Sequence, residues 1–250
     1  MTIKATYKMH MGNDDTVTSA ARVSFSKDAS NYTHAQNKNL IQFLARGCTS
    51  GEWADALDTL TGCVDAEPVD REDAEALLKW ARNMPTHWTP FSHPQITMVE
   101  KVPIFIARQR FKHMIGFTYN EVSRRYVDDE PEFYTPSEWR SRPEGSVKQG
   151  SGGVHKDSRD YCVGYERYIG QVTYDYNAMI AEGVAPEQAR MILPQSMLTE
   201  YWVTGSLYAW ANAYIQRSDS HAQKEIQELA KQWDEIIRPL YPVSWSALVD

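Results

Sequence analysis

Apolar and polar residues alternate strictly over residues 2–9, where Ile3, Ala5, Tyr7 and Met9 share one face; this period of two predicts a half-buried strand. The period then lengthens. Two helices are expected near 15–24 and 34–46, the second with Leu40, Ile41 and Leu44 on one face and Gly47 as its stop. Residues 71–84 place Ala74, Leu77, Leu78 and Ala81 on one helical stripe that Pro85 ends. Alternation returns at 94–102 (PQITMVEKV), a second strand, and Pro103 suits the first turn of the helix IFIARQRFKHM. Tyr161, Tyr165, Tyr168, Val172, Tyr176 and Met179 recur every three or four residues and predict a long helix over about 158–182, closed by Gly183. Pro186 opens a short helix, and Pro194 interrupts the next. The last helices are expected over about 196–215 and 219–237, the latter burying Ile226, Leu229, Trp233 and Ile236.

Few strands among many helices, without βαβ alternation, predict an α+β fold in one domain over residues 1–250, with a small, mostly antiparallel sheet. Residues 137–158, containing SRPEGSVKQGSGG, form a Gly/Ser-rich surface excursion rather than a linker. With 42% hydrophobic and 12% aromatic residues, the 250-residue chain can bury enough apolar area to fold. No apolar run is long enough for a membrane span, and MTIKATYKMHMG lacks the apolar core of a signal peptide. Cys48, Cys63 and Cys162 form no CxxC pair, which points to a reducing cytoplasm and away from a disulfide framework or zinc knuckle. A net charge of −7 disfavours extended nucleic-acid binding.

Against that charge one stretch stands out. Residues 108–125 carry Arg108, Arg110, Lys112, Arg124 and Arg125 against a single acid, Glu121. Arginine forks with a hydroxyl such as Ser123 suit a phosphate monoester. On local charge alone, a solvated helix face followed by a charged loop explains it better. A second cluster comprises Asn212 and then Gln216-Arg217-Ser218-Asp219-Ser220-His221-Ala222-Gln223. Ser218 or Asp219 could cap the final helix, with Glu225 reaching back, but capping does not explain Arg217 and His221. The loop Thr86-His87-Trp88-Thr89-Pro90-Phe91-Ser92-His93 holds two histidines at a spacing that is uninformative for a metal, so no metal site is expected.

Taken together, Thr86–Phe91 with His93, PIFIARQRFKH at 103–113, NEVSRRY at 120–126, EFYTP at 132–136, ARMILP at 189–194 and RSDSHAQKEI at 217–226 resemble the flavin-dependent thymidylate synthases (the ThyX family), in that family's order. One departure is plain. The family hallmark is Arg-His-Arg followed by a serine; here Lys112-His113-Met114 precedes Ser123 across a loop one residue longer.

The resemblance implies FAD-dependent reductive methylation of dUMP to dTMP, with 5,10-methylenetetrahydrofolate as one-carbon donor, NADPH as reductant, and active sites shared within a homotetramer. It implies that Gln109, Lys112, Glu121, Ser123, Arg124, Arg125, Arg190 and Arg217 face dUMP, with Arg217 catalytic at the uracil ring. Thr89, Lys112, His113, Met114, Glu121, Ser206, Leu207, Tyr208 and Asn212 would face FAD. No cysteine lies in a matching stretch, so activation of the ring is expected to be electrostatic. Two other readings stay open at this point: another flavin or nucleotide enzyme, or a nucleic-acid-binding module using 105–126.

Overall fold

A computed structural model describes residues 3–49, 86–143 and 150–250. The expected helix at 71–84 and Cys63 lie outside these residues, as does part of the 137–158 excursion. In chain order the elements are β1 (Lys4–Met11), α1 (Asp14–Arg22), α2 (His34–Ala45), β2 (Gln95–Pro103), α3 (Ile104–Arg110), β3 (Phe117–Glu121), α4 (Ser158–Ala181), α5 (Pro186–Ala189), β4 (Leu198–Ser206), α6 (Leu207–Ser218), α7 (Lys224–Ile237) and α8 (Pro242–Val249). They give the α+β fold expected from the patterning.

The sheet order is β1-β2-β4-β3. Central β2 is buried on both faces, with Ile96, Met98, Glu100 and Val102 at 0% exposure along one of them. Its pairing with β4 is antiparallel, because residue numbers fall on one strand as they rise on the other. Leu207 N donates to Pro94 O at 3.0 Å, the Thr97 and Thr204 hydroxyls meet at 2.9 Å, and Ile104 N donates to Met197 O at 3.0 Å.

β4 corrects the expectation of a helix over 196–215. Tyr201 and Val203 point inward while Glu200 and Trp202 point out, a two-residue period of aromatic and β-branched side chains. The helical period begins only at Leu207, where Ser206 Oγ accepts from Ala209 N at 3.2 Å and caps α6. β1 forms as expected but is not half-buried. It is an edge strand, and Tyr7, Met9 and Met11 are 42, 55 and 59% exposed. In α4, Val172 and Tyr176 are buried, whereas Tyr161 and Tyr168 are exposed; the aromatic stripe reaches the core only in its second half. Tyr161 instead packs edgewise on Trp139 at 6.2 Å. In α7 the buried end of the stripe is Ile237, not Ile236.

Contacts group the chain into two compact units. The first comprises Met1–Lys8, Thr97–Thr204 and Arg217–Gln232, and includes a small apolar cluster of Phe133, Val172 and Met197 flanked by Ile104, Ile169 and Leu193. The second comprises Met9–Ile96, Gly205–Gln216 and Trp233–Asp250. Its centre is built on tryptophan: Trp210 meets Trp233 edge to face at 5.4 Å and donates Nε1–H to Ile96 O at 3.2 Å. No helix among the described residues is long and apolar enough to cross a membrane.

Candidate active site

The polar stretch that stood out in the sequence is a solvated face only in part: Arg108, Lys112 and Arg125 are exposed, but Arg110 is not. α3 buries Ile106, Ala107 and Arg110 on one side, so Arg110 enters the interior at helical spacing. There it meets Glu100, the acid at an inward position of β2, with Nε 3.3 Å from Oε2 and both side chains fully buried. Tyr201 donates its hydroxyl to Glu100 Oε2 at 2.5 Å. Phe117 lies against the guanidinium, its ring centroid 4.2 Å from Cζ. Arg110 Nη1 donates to the Tyr119 hydroxyl at 2.6 Å, and Tyr119 donates to the backbone carbonyl of His113 at 2.7 Å. Burial pushes the Tyr119 phenol up to about 12, so it stays a donor.

α3 ends in tight turns, with His113 N donating to Arg110 O at 3.1 Å. The longer loop closes at Gly116, whose φ of 78° lies in the left-handed region that glycine tolerates best. Met114 and Ile115 are left 74 and 93% exposed, while the His113 ring turns inward.

Arg217 sits in the last turn of α6, not at the start of α7, where the helix C-terminus favours a cation. Asp219 does not cap α7 either: its Oδ1 accepts from His221 N at 2.7 Å. Glu225 pairs with Arg140 at 2.6 Å instead of reaching back. Arg217 Nε donates to His113 Nε2 at 2.8 Å, and its Nη2 donates to Gln109 O at 3.3 Å. The Gln109 side chain is itself tied to Gln223 at 2.7 Å. Among the described residues Arg217 Nη1 has no hydrogen-bond partner. Burial first, then the charges of Arg110 and Arg217, push His113 down to about 4. The imidazole is therefore neutral at physiological pH, with Nε2 as acceptor and the proton on Nδ1.

This has a consequence for acid stability. The unfolded histidine binds its proton near pH 6.5 and the folded one only near 4, so the unfolded state carries more protons between them. Stability contributed by neutral His113 is complete above about pH 6.5 and lost as the pH falls toward about 4. The urea midpoint is expected to drop across that window, and His113→Gln to flatten the drop; an identical slope in the variant would assign the effect elsewhere.

Four of the expected nucleotide-facing residues, Glu121, Ser123, Arg124 and Arg190, line a cavity of about 490 Å³ in the first unit. Lys101, Asp129, Glu130, Glu132 and Glu200 line it too, so acids outnumber bases, a feature missed by counting charge only to residue 125. Lys101 is paired with Glu132 at 2.7 Å. Arg124 hydrogen-bonds the carbonyls of Asp129 and Glu130, and Glu121 accepts from Thr199 Oγ1 at 2.6 Å. Arg190 is exposed and donates only Nε, to Glu187 O at 3.3 Å, among the described residues. Its terminal nitrogens remain for an anion. Gln109, Lys112, Arg125 and Arg217 are not in this cavity's lining; Arg125 lies 3.8 Å from Glu187, and Lys112 is exposed.

In the second unit, Thr89 lines a separate cavity of about 680 Å³ with Arg22, Ser24, Lys27, Tyr32 and His87. Arg22 stacks 3.6 Å from the Tyr32 ring centroid. Ser206 and Leu207 are buried, the first as a helix cap and the second in the core, so neither offers a side chain to a cofactor. Tyr208 stacks on Trp88 at 5.6 Å and donates to Cys48 O at 3.0 Å, and Asn212 donates to Tyr208 O at 3.0 Å. Cys48 is buried in this unit, its thiol 3.2 Å from Leu44 O; Cys162 is half-buried in α4. No cluster of three or more metal-ligating side chains occurs among the described residues.

The site thus consists of an arginine held by a neutral histidine and, in the same unit, a cavity lined by Ser123, Arg124 and Arg190, on an α+β fold. The family model described as "Thymidylate synthase complementing protein" matches residues 8–243, and the chain belongs to that family, as its motifs led us to expect. The flavin-dependent thymidylate synthase of Thermosipho africanus is 34% identical over 65% of this chain and 72% of its own length. That of Thermus thermophilus is 34% identical over 71% of this chain and 64% of its own length. That of Streptomyces avermitilis is 30% identical over 86% of this chain and 87% of its own. The fold is similar to the crystal structure of a UMP/dUMP methylase, PolB from Streptomyces cacaoi, bound with 5-Br dUMP. There the TM-score is 0.73 at 24% identity, covering 98% of this chain and 93% of that one.

Proposed function

We propose that the chain is a flavin-dependent thymidylate synthase that methylates C5 of dUMP reductively, with FAD as cofactor, 5,10-methylenetetrahydrofolate as one-carbon donor and NADPH as reductant. The observation that carries this reading is the Arg217 guanidinium held between neutral His113 and Gln109 O with Nη1 unengaged. Uracil C5 is a weak nucleophile. A fixed cation at the ring stabilises negative charge as it develops, and no thiolate is needed. Neither described cysteine belongs to this cluster.

Arg190, Ser123 and Arg124 would meet the phosphate, since a fork and a hydroxyl match a monoester dianion. The acids in that cavity oppose a bare anion, so Arg190 carries much of the attraction. Arg190→Ala is expected to raise KM for dUMP by roughly 1.5–3 kcal/mol with kcat nearly unchanged. A fall in kcat at constant KM would remove Arg190 from the phosphate.

The residues present fit FAD. Phe43 offers an aromatic face, Lys27 offers charge and Thr89 offers a hydroxyl in one cavity, whose wall is the Arg22–Tyr32 stack, and this suits a planar ring system carrying phosphates. Tyr208 and Asn212, in the same unit, are the further residues that would hold it. When bound, the flavin supplies the redox chemistry and carries the one-carbon unit. The exposed row Tyr7, Met9 and Met11 is apolar area that another copy in a homotetramer would cover. Nucleic-acid binding through 105–126 is not favoured, because Arg110 is buried and Arg124 is held by its own loop. The purified protein should show a flavin absorption band that changes on adding dUMP. A colourless protein that neither binds added FAD nor responds to dUMP would end this reading.

A further inference from the structure

We propose that Glu100, Arg110 and Tyr119 form a buried positioning relay that aims the Arg217 guanidinium by fixing both the backbone and the ring of His113. The relay is continuous. Glu100 anchors Arg110 Nε, Arg110 Nη1 donates to the Tyr119 hydroxyl, and Tyr119 donates to His113 O. His113 Nε2 then takes the Nε–H of Arg217. Phe111 and Tyr201 pack on the Tyr119 ring at 5.0 and 6.0 Å and hold it in place.

A buried ion pair is weak support for a fold, because apolar residues of similar volume generally serve as well or better. What this pair does that apolar residues could not is present a hydrogen-bond donor to the tyrosine and a positive charge to His113. The charged groups facing His113 are Arg110 and Arg217, both cations, so protonating the ring would gather three positive charges. Arg110 thus helps keep Nε2 an acceptor, the state Arg217 requires. Arg217 is the group that would touch substrate; Glu100, Arg110 and Tyr119 act through His113.

The role assigned to Arg217 rests on the function proposed above, so the test includes a readout that needs no turnover. Tyr119→Phe is made in the flavin-loaded full-length protein labelled with [15N]histidine, and the His113 signal is identified by its loss in His113→Gln. Wild type is expected to show His113 as a single neutral tautomer with the proton on Nδ1. In Tyr119→Phe the Nε2 resonance should move away from the pure acceptor value, kcat should fall roughly 3- to 10-fold, and KM for dUMP should stay near wild type. A second variant, Glu100→Met with Arg110→Met, should fold and raise the pH at which His113 titrates, because one repelling cation is gone. An unchanged His113 spectrum in both variants overturns the relay, as does a kcat loss in Tyr119→Phe that tracks thermal stability and returns on cooling. A wild-type protein that makes no dTMP would instead refute the ring role of Arg217, leaving the spectra to decide the relay.

Discussion

Arg217→Ala is expected to lower kcat and kcat/KM together by about 2.7–4 kcal/mol, the range for removing one oxyanion-type donor, while the protein melts near the wild-type temperature. Parallel loss is the signature of an interaction made mainly in the transition state. The structure favours this over a purely structural role. Arg217 makes two hydrogen bonds, to a histidine ring and a backbone carbonyl, and forms no ion pair among the described residues. Burial and then the nearby Arg110 disfavour its charge, against what the helix C-terminus gains, so folding alone is weak reason for a cation there. Arg217→Lys should recover little, since an ammonium cannot engage His113, Gln109 O and a uracil edge at once. Steady-state kinetics with thermal melts check this. A variant that melts early and regains turnover when cooled would make Arg217 a structural residue.

Arg110→Met alone is expected to cost about 3–5 kcal/mol of stability, because it strands the carboxylate of Glu100 in the interior. Both groups are fully buried, so water cannot take the place of the lost partner. Adding Glu100→Met should restore most of that loss, making the double variant more stable than Arg110→Met. Urea unfolding of the two single variants and the double variant measures the coupling directly. The double variant should nevertheless remain slow, which separates what the pair does for the fold from what it does for Arg217. Additive losses would mean that the two side chains are not partners.

Much of this arrangement was legible in the sequence, and what was missed had signals of its own. Motif order singled out both His113 and Arg217 but assigned them to different ligands, and the hydrogen bond that joins them is a finding of the structure. Local charge counting drew attention to 108–125 but treated Arg110 as one more surface cation. Its helical spacing from Ile106 and Ala107, and the place of Glu100 on the same strand face as Ile96, Met98 and Val102, mark both as buried. A paired acid and base at inward positions is a pattern that periodicity alone reveals. β4 was read as helix because the alternation of Tyr201 and Val203 was absorbed into the longer period of Leu207–Ser218, although Gly205 and Ser206 mark the junction between them. β3 was too short and too polar to stand out. The acids at Asp129, Glu130 and Glu132 enter the cavity only through the loop that Arg124 folds back on. Such tertiary proximity has no local trace.

The folate product is the most direct test of the proposed chemistry. Under anaerobic conditions the flavin-loaded protein is given dUMP, 5,10-methylenetetrahydrofolate and NADPH, and dTMP, both reduced folates and NADPH consumption are followed together. If the reducing equivalents come through the flavin, dTMP should appear with tetrahydrofolate and with an equal loss of NADPH. Dihydrofolate accumulating in step with dTMP, with NADPH untouched, would mean that the folate itself is the reductant and would contradict the flavin-dependent reaction.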